Sequence, residues 1–447
     1  MRTLDKYLER HAEAGLSELA EQLGRYHAAL VIPALGENPE LLRGIASACA
    51  LASGRVLVVL VLNATPKSAP ELREQNDLCF QVWSRGAVQL GPNAYLRPEA
   101  DFDLLLLDRS SPGFELPLKE GVGLARKYGG DVVCALARLG RLELPIVLYT
   151  DGDVRLPEDY FARAARAWRE TAGNQAPSAW LFPFTHVPAE DGRVWRATRV
   201  YESTLRYHVL GLVRASSPYA YQSLGSTLAI PVDAYAQVRG IPKREAGEDF
   251  YVLDKLAKLA PLHRLLGAPI EIRSRRSARV PFGTGSNVTR LSSQDGPALV
   301  ASPDAFEALG CVIRALDRFA RGPTARELEA GLATAPAAWQ GAIAHAVAQS
   351  GLVPACLDAA AKVGAGDLAR RLHTWFDALK TLRFLHHLRD AGLPERTLAE
   401  ALGAARGWLG ATDPEDPCAG LELAERRLPP EVGPTLPRYV THVTRAL

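Results

Sequence analysis

Two aspartates, Asp151 and Asp153, flank Gly152 directly after the apolar run at 146–150. Carboxylate oxygens are hard ligands that suit Mg²⁺ or Mn²⁺, and such an ion would in turn hold a diphosphate. Asp-Gly pairs are also common in ordinary turns, so a turn without a ligand is the alternative. Ligands of open parallel sheets bind beyond the carboxyl ends of the strands, and this position therefore favours a metal–diphosphate site.

A second acidic pair, Glu248 and Asp249, follows Gly247 and precedes an apolar helical pattern. A carboxylate placed there could accept a proton from an attacking hydroxyl group. The alternative is a structural role, because acidic residues stabilise helix N-termini. The helix dipole is expected to lower the pKa of Asp249, whereas the like charge of Glu248 raises it. We predict Asp249 as the general base, with Glu248 as the second candidate.

Basic residues could complete an anion site. Arg126 lies near the end of a predicted helix and is a candidate for contacting phosphate, although a basic residue there also complements the helix dipole. Four arginines occur within seven residues and could form an anion site or simply a solvated surface; they are Arg273, Arg275, Arg276 and Arg279.

Short apolar runs that alternate with helical patterns predict an α/β fold with a parallel sheet and helices on both faces. The predicted strands are 28–32, 56–62, 104–107, 146–150, 179–184 and 223–230. The predicted helices are 4–24, 120–128 (ended by Gly129 and Gly130), 197–214, 232–239 and 249–259. The first four strands would deliver polar loops to one edge of the sheet, and the aspartates around Gly152 lie in one of these loops.

Strand patterns disappear after a polar, turn-rich stretch at 291–301. Helical patterns follow, among them 303–321, 335–349 and 368–391. We therefore predict three parts: an N-terminal helix (1–27) packed on the α/β domain, the α/β domain itself (28–295), and an all-helical domain (296–447). The helical domain is expected to be separable from the rest.

Composition excludes several classes of protein. In 447 residues, 52 Lys and Arg balance 50 Asp and Glu, which is unlike a strongly basic nucleic-acid binder. The longest aliphatic run, 56–62, is too short for a transmembrane helix, and the N-terminus lacks the pattern of a signal peptide. Six scattered cysteines indicate buried free thiols in a reducing cytoplasm. The glycine-rich loops of P-loop NTPases and dinucleotide-binding proteins are missing from the sequence.

The motifs, taken in chain order, resemble the GT-A glycosyltransferases and most closely those of family 2. The matching segments span roughly 28–285 and are Leu30-Val31-Ile32-Pro33, Glu37-Asn38, Gly121-Val122-Gly123-Leu124-Ala125-Arg126, Asp151-Gly152-Asp153, Gly225-Ser226, Gly240 and Gly247-Glu248-Asp249. The resemblance implies a GT-A-like sheet, a nucleotide-sugar donor, and Mn²⁺ or Mg²⁺ held by Asp151 and Asp153. It also implies that Asp249 deprotonates the acceptor.

Further roles follow from the same resemblance and from the predicted edge of the sheet. The residues assigned to the nucleotide sugar are Pro33, Leu35, Glu37, Asn63, Arg126 and Gly152, and those assigned to the acceptor side are Gly225, Ser226 and Arg279. The second strand ends in Asn63-Ala64-Thr65, where family members usually carry acidic residues. The aromatic acceptor motif and membrane helices of processive polysaccharide synthases are missing from the sequence, so processive synthesis is not expected.

These observations predict a metal-dependent glycosyltransferase of the hexosyltransferase class that uses a nucleoside-diphosphate sugar. A base on the face opposite the leaving group favours inversion, and retention stays open because retaining GT-A enzymes share the metal–diphosphate part of the site. The acceptor is a hydroxyl on a small molecule, a glycan or a lipid-linked molecule; no nucleic acid is expected as partner. We expect a cytoplasmic protein, peripheral at the membrane if the acceptor is a lipid, and a homo-oligomer through the helical domain is left open. The alternatives are a nucleotidyltransferase using the same carboxylate pair, and a catalytically inactive GT-A-like binding module.

Overall fold

The computed structural model describes residues 2–171, 176–277, 279, 283–293, 296–410 and 416–435. The chain divides into two compact units. The first comprises Met1–Trp195 and Ser223–Thr289, and the second comprises Arg196–Gln222 and Arg290–Leu447. The domain boundary predicted at 295/296 lies close to the junction between Thr289 and Arg290. The assignment of Arg196–Gln222 to the second unit has no counterpart in the sequence prediction.

The first unit contains twelve strands among its described residues. They are β1 (Ala28–Ala34), β2 (Val56–Asn63), β3 (Val88–Gly91), β4 (Ala94–Pro98), β5 (Phe102–Arg109), β6 (Ile146–Tyr149), β7 (Val154–Arg155), β8 (Ala179–Leu181), β9 (Phe184–Val187), β10 (Leu228–Pro231), β11 (Leu262–Arg264) and β12 (Ile270–Arg273). Within this unit the main sheet has the order β11-β8-β10-β6-β1-β2-β5-β4-β3, and a small second sheet has the order β7-β12-β9. The hairpin strands β3 and β4 were not predicted from the sequence.

The centre of the main sheet is parallel. Strand β1 pairs in parallel with β2 and β6, and β2 pairs in parallel with β5. Every residue of β1 and β2 is buried, as expected where helices cover both faces of a parallel sheet. Strand β10 is antiparallel to β6, so its first residues lie at the edge where β6 ends. The predicted edge of the sheet therefore also receives the start of β10.

Helices cover the first unit and join it to the second. They are α1 (Arg2–Arg10), α2 (Leu16–Glu21), α3 (Arg43–Ala50), α4 (Pro70–Ser84), α5 (Gly121–Arg138), α6 (Tyr160–Thr171), α7 (Gly192–Arg214), α8 (Val232–Gln237), α9 (Glu248–Ala257) and α10 (Thr284–Ser293). Helices α7 and α10 each begin in the first unit and continue in the second. Two short 3₁₀ turns, Pro39–Leu42 and Gly225–Thr227, precede α3 and β10.

Two of the predicted helices differ from those observed. The single helix predicted for 4–24 is wrong, because the chain breaks between α1 and α2 at Gly15, whose φ of +80° is left-handed. The predicted end of α5 at Gly129 and Gly130 is also wrong, since the helix continues to Arg138. These glycines allow close packing: a Cβ at Gly129 would lie 2.2 Å from Val31, and one at Gly130 would lie 2.3 Å from the Tyr149 hydroxyl.

The second unit is helical. Its elements, besides α7 and α10, are α11 (Pro303–Arg321), α12 (Ala325–Leu332), α13 (Ala337–Ser350), α14 (Leu352–Lys362), α15 (Ala365–Trp375), α16 (Ala378–Asp390), α17 (Leu398–Ala404), α18 (Arg406–Leu409), α19 (Pro417–Arg426), β13 (Leu299–Val300), β14 (Arg396–Thr397) and β15 (Glu431–Val432). The single helix predicted for 368–391 is wrong: Asp377 caps a new helix, α16, by accepting a hydrogen bond from the backbone of Lys380.

The predicted fold class, a parallel-centred sheet flanked by helices and followed by a helical region, is confirmed. The predicted all-helical second part is wrong in detail, because it also contains the short strands β13, β14 and β15, of which β13 and β14 pair antiparallel. All six cysteines are buried and free, as predicted. Among the described residues, no helix is both long enough and apolar enough to cross a membrane.

Candidate active site

Arg126 connects the two acidic pairs that the sequence analysis selected. From its place in the middle of α5, its Nη2 donates to Asp151 Oδ1 at 2.5 Å and its Nε donates to Glu248 Oε1 at 2.9 Å. The loop after β6 and the first turn of α9 are therefore within the span of one side chain. Two segments that are distant in the sequence meet at the carboxyl edge of the sheet.

The Arg126 side chain is almost completely buried. Burial by itself would lower its pKa, but the neighbouring Asp151 and Glu248 raise it, and the guanidinium stays charged. Its Nη1 atom forms no hydrogen bond with any residue that the structure describes. A buried cationic donor of this kind has capacity for one further anionic or carbonyl oxygen.

Asp249, in the first turn of α9, accepts hydrogen bonds from two backbone amides. Its Oδ2 accepts a hydrogen bond from Gly225 N at 3.0 Å, and its Oδ1 accepts one from Phe250 N at 2.7 Å. The sequence reasoning expected the helix dipole to lower its pKa. Instead, burial and the charge of Glu248 raise the pKa of Asp249 to about 7, outweighing the amide of Phe250 and the charge of Arg126. Such a carboxyl can accept a proton near neutral pH.

Glu248 has a different environment from its neighbour. It is buried and bonded to the guanidinium of Arg126. This ion pair ties Glu248 to the arginine and leaves Asp249 as the better placed of the two predicted bases.

A second cluster lies around Glu37 and Asp153. Arg275 donates from Nε to Asp153 Oδ2 at 2.6 Å and from Nη2 to Glu37 Oε1 at 3.1 Å. Arg279 donates from Nη1 to Glu37 and from Nη2 to the carbonyl oxygen of Gly36 at 2.6 Å. Arg279 had been assigned to the acceptor side, but here it lies beside residues assigned to the nucleotide sugar. Arg275 was recognised only as one of a basic run.

Gly152 permits the close approach of Glu37 to the aspartate loop. A Cβ at Gly152 would lie 2.8 Å from Glu37 Cγ and 2.9 Å from its Cδ. Burial raises the pKa of Glu37, while the charges of Arg275 and Arg279 oppose the shift. The end of β1 and the loop after β6 thus form one surface of alternating charge.

Asn63 has a structural role at this edge. Its Nδ2 donates to the carbonyl oxygens of Ala34 at 2.9 Å and of Val61 at 3.1 Å. Asn76 on α4, which sequence reasoning missed, accepts from Gly36 N at 2.7 Å and donates to Asn63 O at 3.0 Å. No helix was predicted at 70–84 from the sequence, so the buried position of this amide was not recognised.

The remaining predicted residues are also at or near this edge. Pro33 is buried within β1, and Leu35 follows the end of that strand with its side chain partly exposed. Ser226 is buried in the 3₁₀ turn that leads into β10, next to Gly225. The structure thus places both groups of predicted site residues along the ends of β1, β2, β6 and the start of β10.

The carboxylates of Asp151 and Asp153 could hold a divalent metal ion only together with phosphate oxygens of a ligand. Among the described residues, no group of three His, Cys, Asp or Glu side chains could hold a metal ion. Mg²⁺ is commonly bound by one or two carboxylates together with substrate phosphates. In the ion pairs described above, Asp151 and Asp153 each use one carboxylate oxygen. Their second oxygens fit such a shared site chemically.

No protein-family model matches the sequence, and no curated protein matches it. Two crystal structures of residues 1–349 of S. aureus TarS are similar in fold comparison, one of them in complex with UDP-GlcNAc. For the complex, the identity is 11%, the match covers 87% of this chain and 95% of that chain, and the TM-score is 0.33. For the other structure, the identity is 14%, the match covers 87% of this chain and 94% of that chain, and the TM-score is 0.33.

Proposed function

We propose that the chain is a glycosyltransferase that transfers a sugar from a nucleoside-diphosphate sugar to a hydroxyl acceptor. The observation that carries this proposal is Arg126, which joins the loop of Asp151 to Glu248, the neighbour of Asp249. A group suited to bind an anionic leaving group is thereby fixed next to a group suited to accept a proton. Sugar transfer from a diphosphate requires both functions at adjacent positions.

The leaving group would interact with the arginines. The nucleoside diphosphate gains negative charge as the bond between the anomeric carbon and the phosphate oxygen breaks. In the proposal, the Nη1 atom of Arg126 donates to this diphosphate, and Arg275 and Arg279 supply further positive charge from the Glu37 cluster. Because the diphosphate carries more negative charge in the transition state than in the bound substrate, preorganised cations stabilise the transition state more than the substrate.

We also propose Mn²⁺ or Mg²⁺ as a cofactor, with Asp151 and Asp153 as its protein ligands. When bound, the ion would supply Lewis-acid stabilisation of the diphosphate charge. Asp151 is the more accessible of the two, with 37% of its side chain exposed, whereas Asp153 is 15% exposed. The ion pairs with Arg126 and Arg275 each occupy one oxygen of these carboxylates and leave the other oxygen for the ion.

Asp249 would act as the general base. The acceptor oxygen attacks the anomeric carbon, its proton passes to Asp249, and the nucleoside diphosphate departs with the electrons of the broken bond. The amides of Gly225 and Phe250 fix the orientation of the carboxylate for this transfer. We propose attack from the face opposite the leaving group, and therefore inversion at the anomeric carbon.

The proposal is tested with a panel of nucleotide sugars, Mn²⁺ and varied acceptors, by measuring the released nucleoside diphosphate and the glycosylated product. We expect turnover with at least one donor and a product of inverted configuration by NMR. Release of the sugar 1-phosphate instead, with the nucleoside monophosphate transferred to the acceptor, would identify a nucleotidyltransferase. Thermal stabilisation by nucleotide sugars without turnover across the acceptor panel would identify a binding module.

A further inference from the structure

The helical unit contains a cavity of about 290 Å³. It lies among α7, α11 and α16, with β13 and the residues after α16 completing its wall. Most of the lining is apolar, and Phe306 and Leu385 within it belong to the buried core of this unit. Leu205, Leu382 and Leu393 add to this apolar lining.

His208 gives this cavity a polar group. Its ring contacts Phe306 edge to face, with ring centroids 5.9 Å apart. No residue that the structure describes forms a hydrogen bond with the His208 ring. Burial, and to a lesser degree the neighbouring His386, lowers the pKa of His208 to about 4. The imidazole is therefore neutral at pH 7 and offers one hydrogen-bond donor and one acceptor.

The charges in the lining compensate each other. Arg389 donates from Nε to Asp390 at 2.8 Å, and its Nη1 lies 3.9 Å from Glu395 Oε1. His386 lies at the exposed side of the lining. The part of its ring that is buried and the charge of Arg389 lower its pKa, while Glu395 and Asp390 oppose this shift. Because Arg389 is already paired with Asp390 and Glu395, the lining offers no free counter-charge to an ionic ligand. An uncharged polar group could form a hydrogen bond with His208.

We propose that this cavity is a binding site for a small uncharged amphiphile, whose apolar body fills the cavity and whose hydroxyl or carbonyl group hydrogen-bonds to His208. A volume of about 290 Å³ lies at the lower end of the range of about 300–1,000 Å³ that is typical of small-molecule sites. A medium-chain alcohol has this size. The site is distinct from the acidic and basic clusters of the first unit and does not depend on the proposed transferase activity.

Calorimetric titration of the full chain with 1-octanol tests the proposal. We expect saturable binding at one site and much weaker binding of octanoate, which has the same chain and a charge. His208→Phe should weaken octanol binding about tenfold, because it keeps the aromatic volume and removes the hydrogen bond. Leu382→Trp should abolish binding by filling the cavity. Leu357→Trp, at an exposed position of α14 outside the lining, should leave binding unchanged.

Thermal unfolding of each variant keeps these results interpretable, and His208→Phe tests the site even if Leu382→Trp does not fold. The proposal is overturned if the full chain shows no saturable octanol binding. It is also overturned if octanoate binds as tightly as octanol. Equal octanol affinity in a folded Leu382→Trp variant, or in His208→Phe, would likewise place the ligand elsewhere.

Discussion

Gly225 lies directly against the guanidinium of Arg126. A Cβ at this position would come within 2.3 Å of Arg126 Nη2, the atom that donates to Asp151. The amide of the same glycine donates to Asp249. One residue without a side chain therefore keeps two functional side chains of the candidate site in place.

Gly225→Ala should displace Arg126 and weaken donor binding. We expect the Kd for the nucleoside diphosphate to rise about tenfold, equivalent to about 1.4 kcal/mol. Calorimetric titration measures this change. Gly91→Ala is the control, because nothing lies within 4 Å of a Cβ added there. Equal Kd values for Gly225→Ala and the wild type would show that the position of Arg126 does not affect binding of the nucleoside diphosphate.

Asp249→Asn should remove the base while keeping the shape of the side chain. Transfer is expected to fall by roughly 10²–10⁴, with donor binding retained. In the wild type, kcat/KM should fall as the pH drops below about 7, because the protonated carboxyl cannot accept a proton. This dependence should be lost in Asp249→Asn and kept in the control Glu245→Gln, which changes an exposed residue. A variant with near-normal transfer would mean that the base lies elsewhere.

Asp153→Ala should remove metal-dependent nucleotide binding and leave the fold intact. The change deletes one proposed metal ligand and also releases Arg275 from its ion pair. Titration with a nucleoside diphosphate in the presence and absence of Mn²⁺ separates the two effects, since only the first depends on the metal. Asp101→Ala, at an exposed position, serves as the control. If Asp153→Ala keeps the full Mn²⁺ dependence of nucleotide binding, Asp153 is not a metal ligand.

Arg279→Ala should affect the donor rather than the acceptor. Arg279 contacts Glu37 and Gly36, and we therefore expect the KM for the nucleotide sugar to rise about tenfold while the KM for the acceptor stays constant. Initial-rate measurements with each substrate varied in turn provide the test. Arg276→Ala, an exposed neighbour in the same run, is the matched control. A selective change in the acceptor KM would instead support the assignment made from the sequence.

A chain ending at residue 295 should aggregate, contrary to the separability that the sequence suggested. Residues 196–222 would remain in this chain without the helices that bury them. Tyr207, Leu210 and Phe306 belong to one apolar core, and a Cβ at Gly211 would lie 2.5 Å from the Phe306 ring. Exposed apolar surface of this kind promotes association. A soluble, monomeric product in size-exclusion chromatography would show that residues 196–222 do not need the helices of the second unit to stay covered, and would support the separability predicted from the sequence.

The sequence determined the elements whose signals are local. Apolar runs and their spacing predicted the buried strands, because burial on both faces leaves a continuous hydrophobic pattern. The order of those strands also predicted that Asp151 and Asp153 would face a common edge. Helix breaks were less predictable, since Gly129 and Gly130 end a helix in isolation but here serve contacts with Val31 and Tyr149.

Only the tertiary structure decided which charges meet. The ion pair of Arg126 with Glu248 joins residues 122 positions apart, and that of Arg279 with Glu37 joins residues 242 positions apart. No local pattern encodes such pairs, because many arginines could reach each carboxylate in an unfolded chain. The pKa of Asp249 was misjudged for the same reason: the helix dipole is visible in the sequence, whereas burial, which dominates the shift, arises only when the surrounding elements pack.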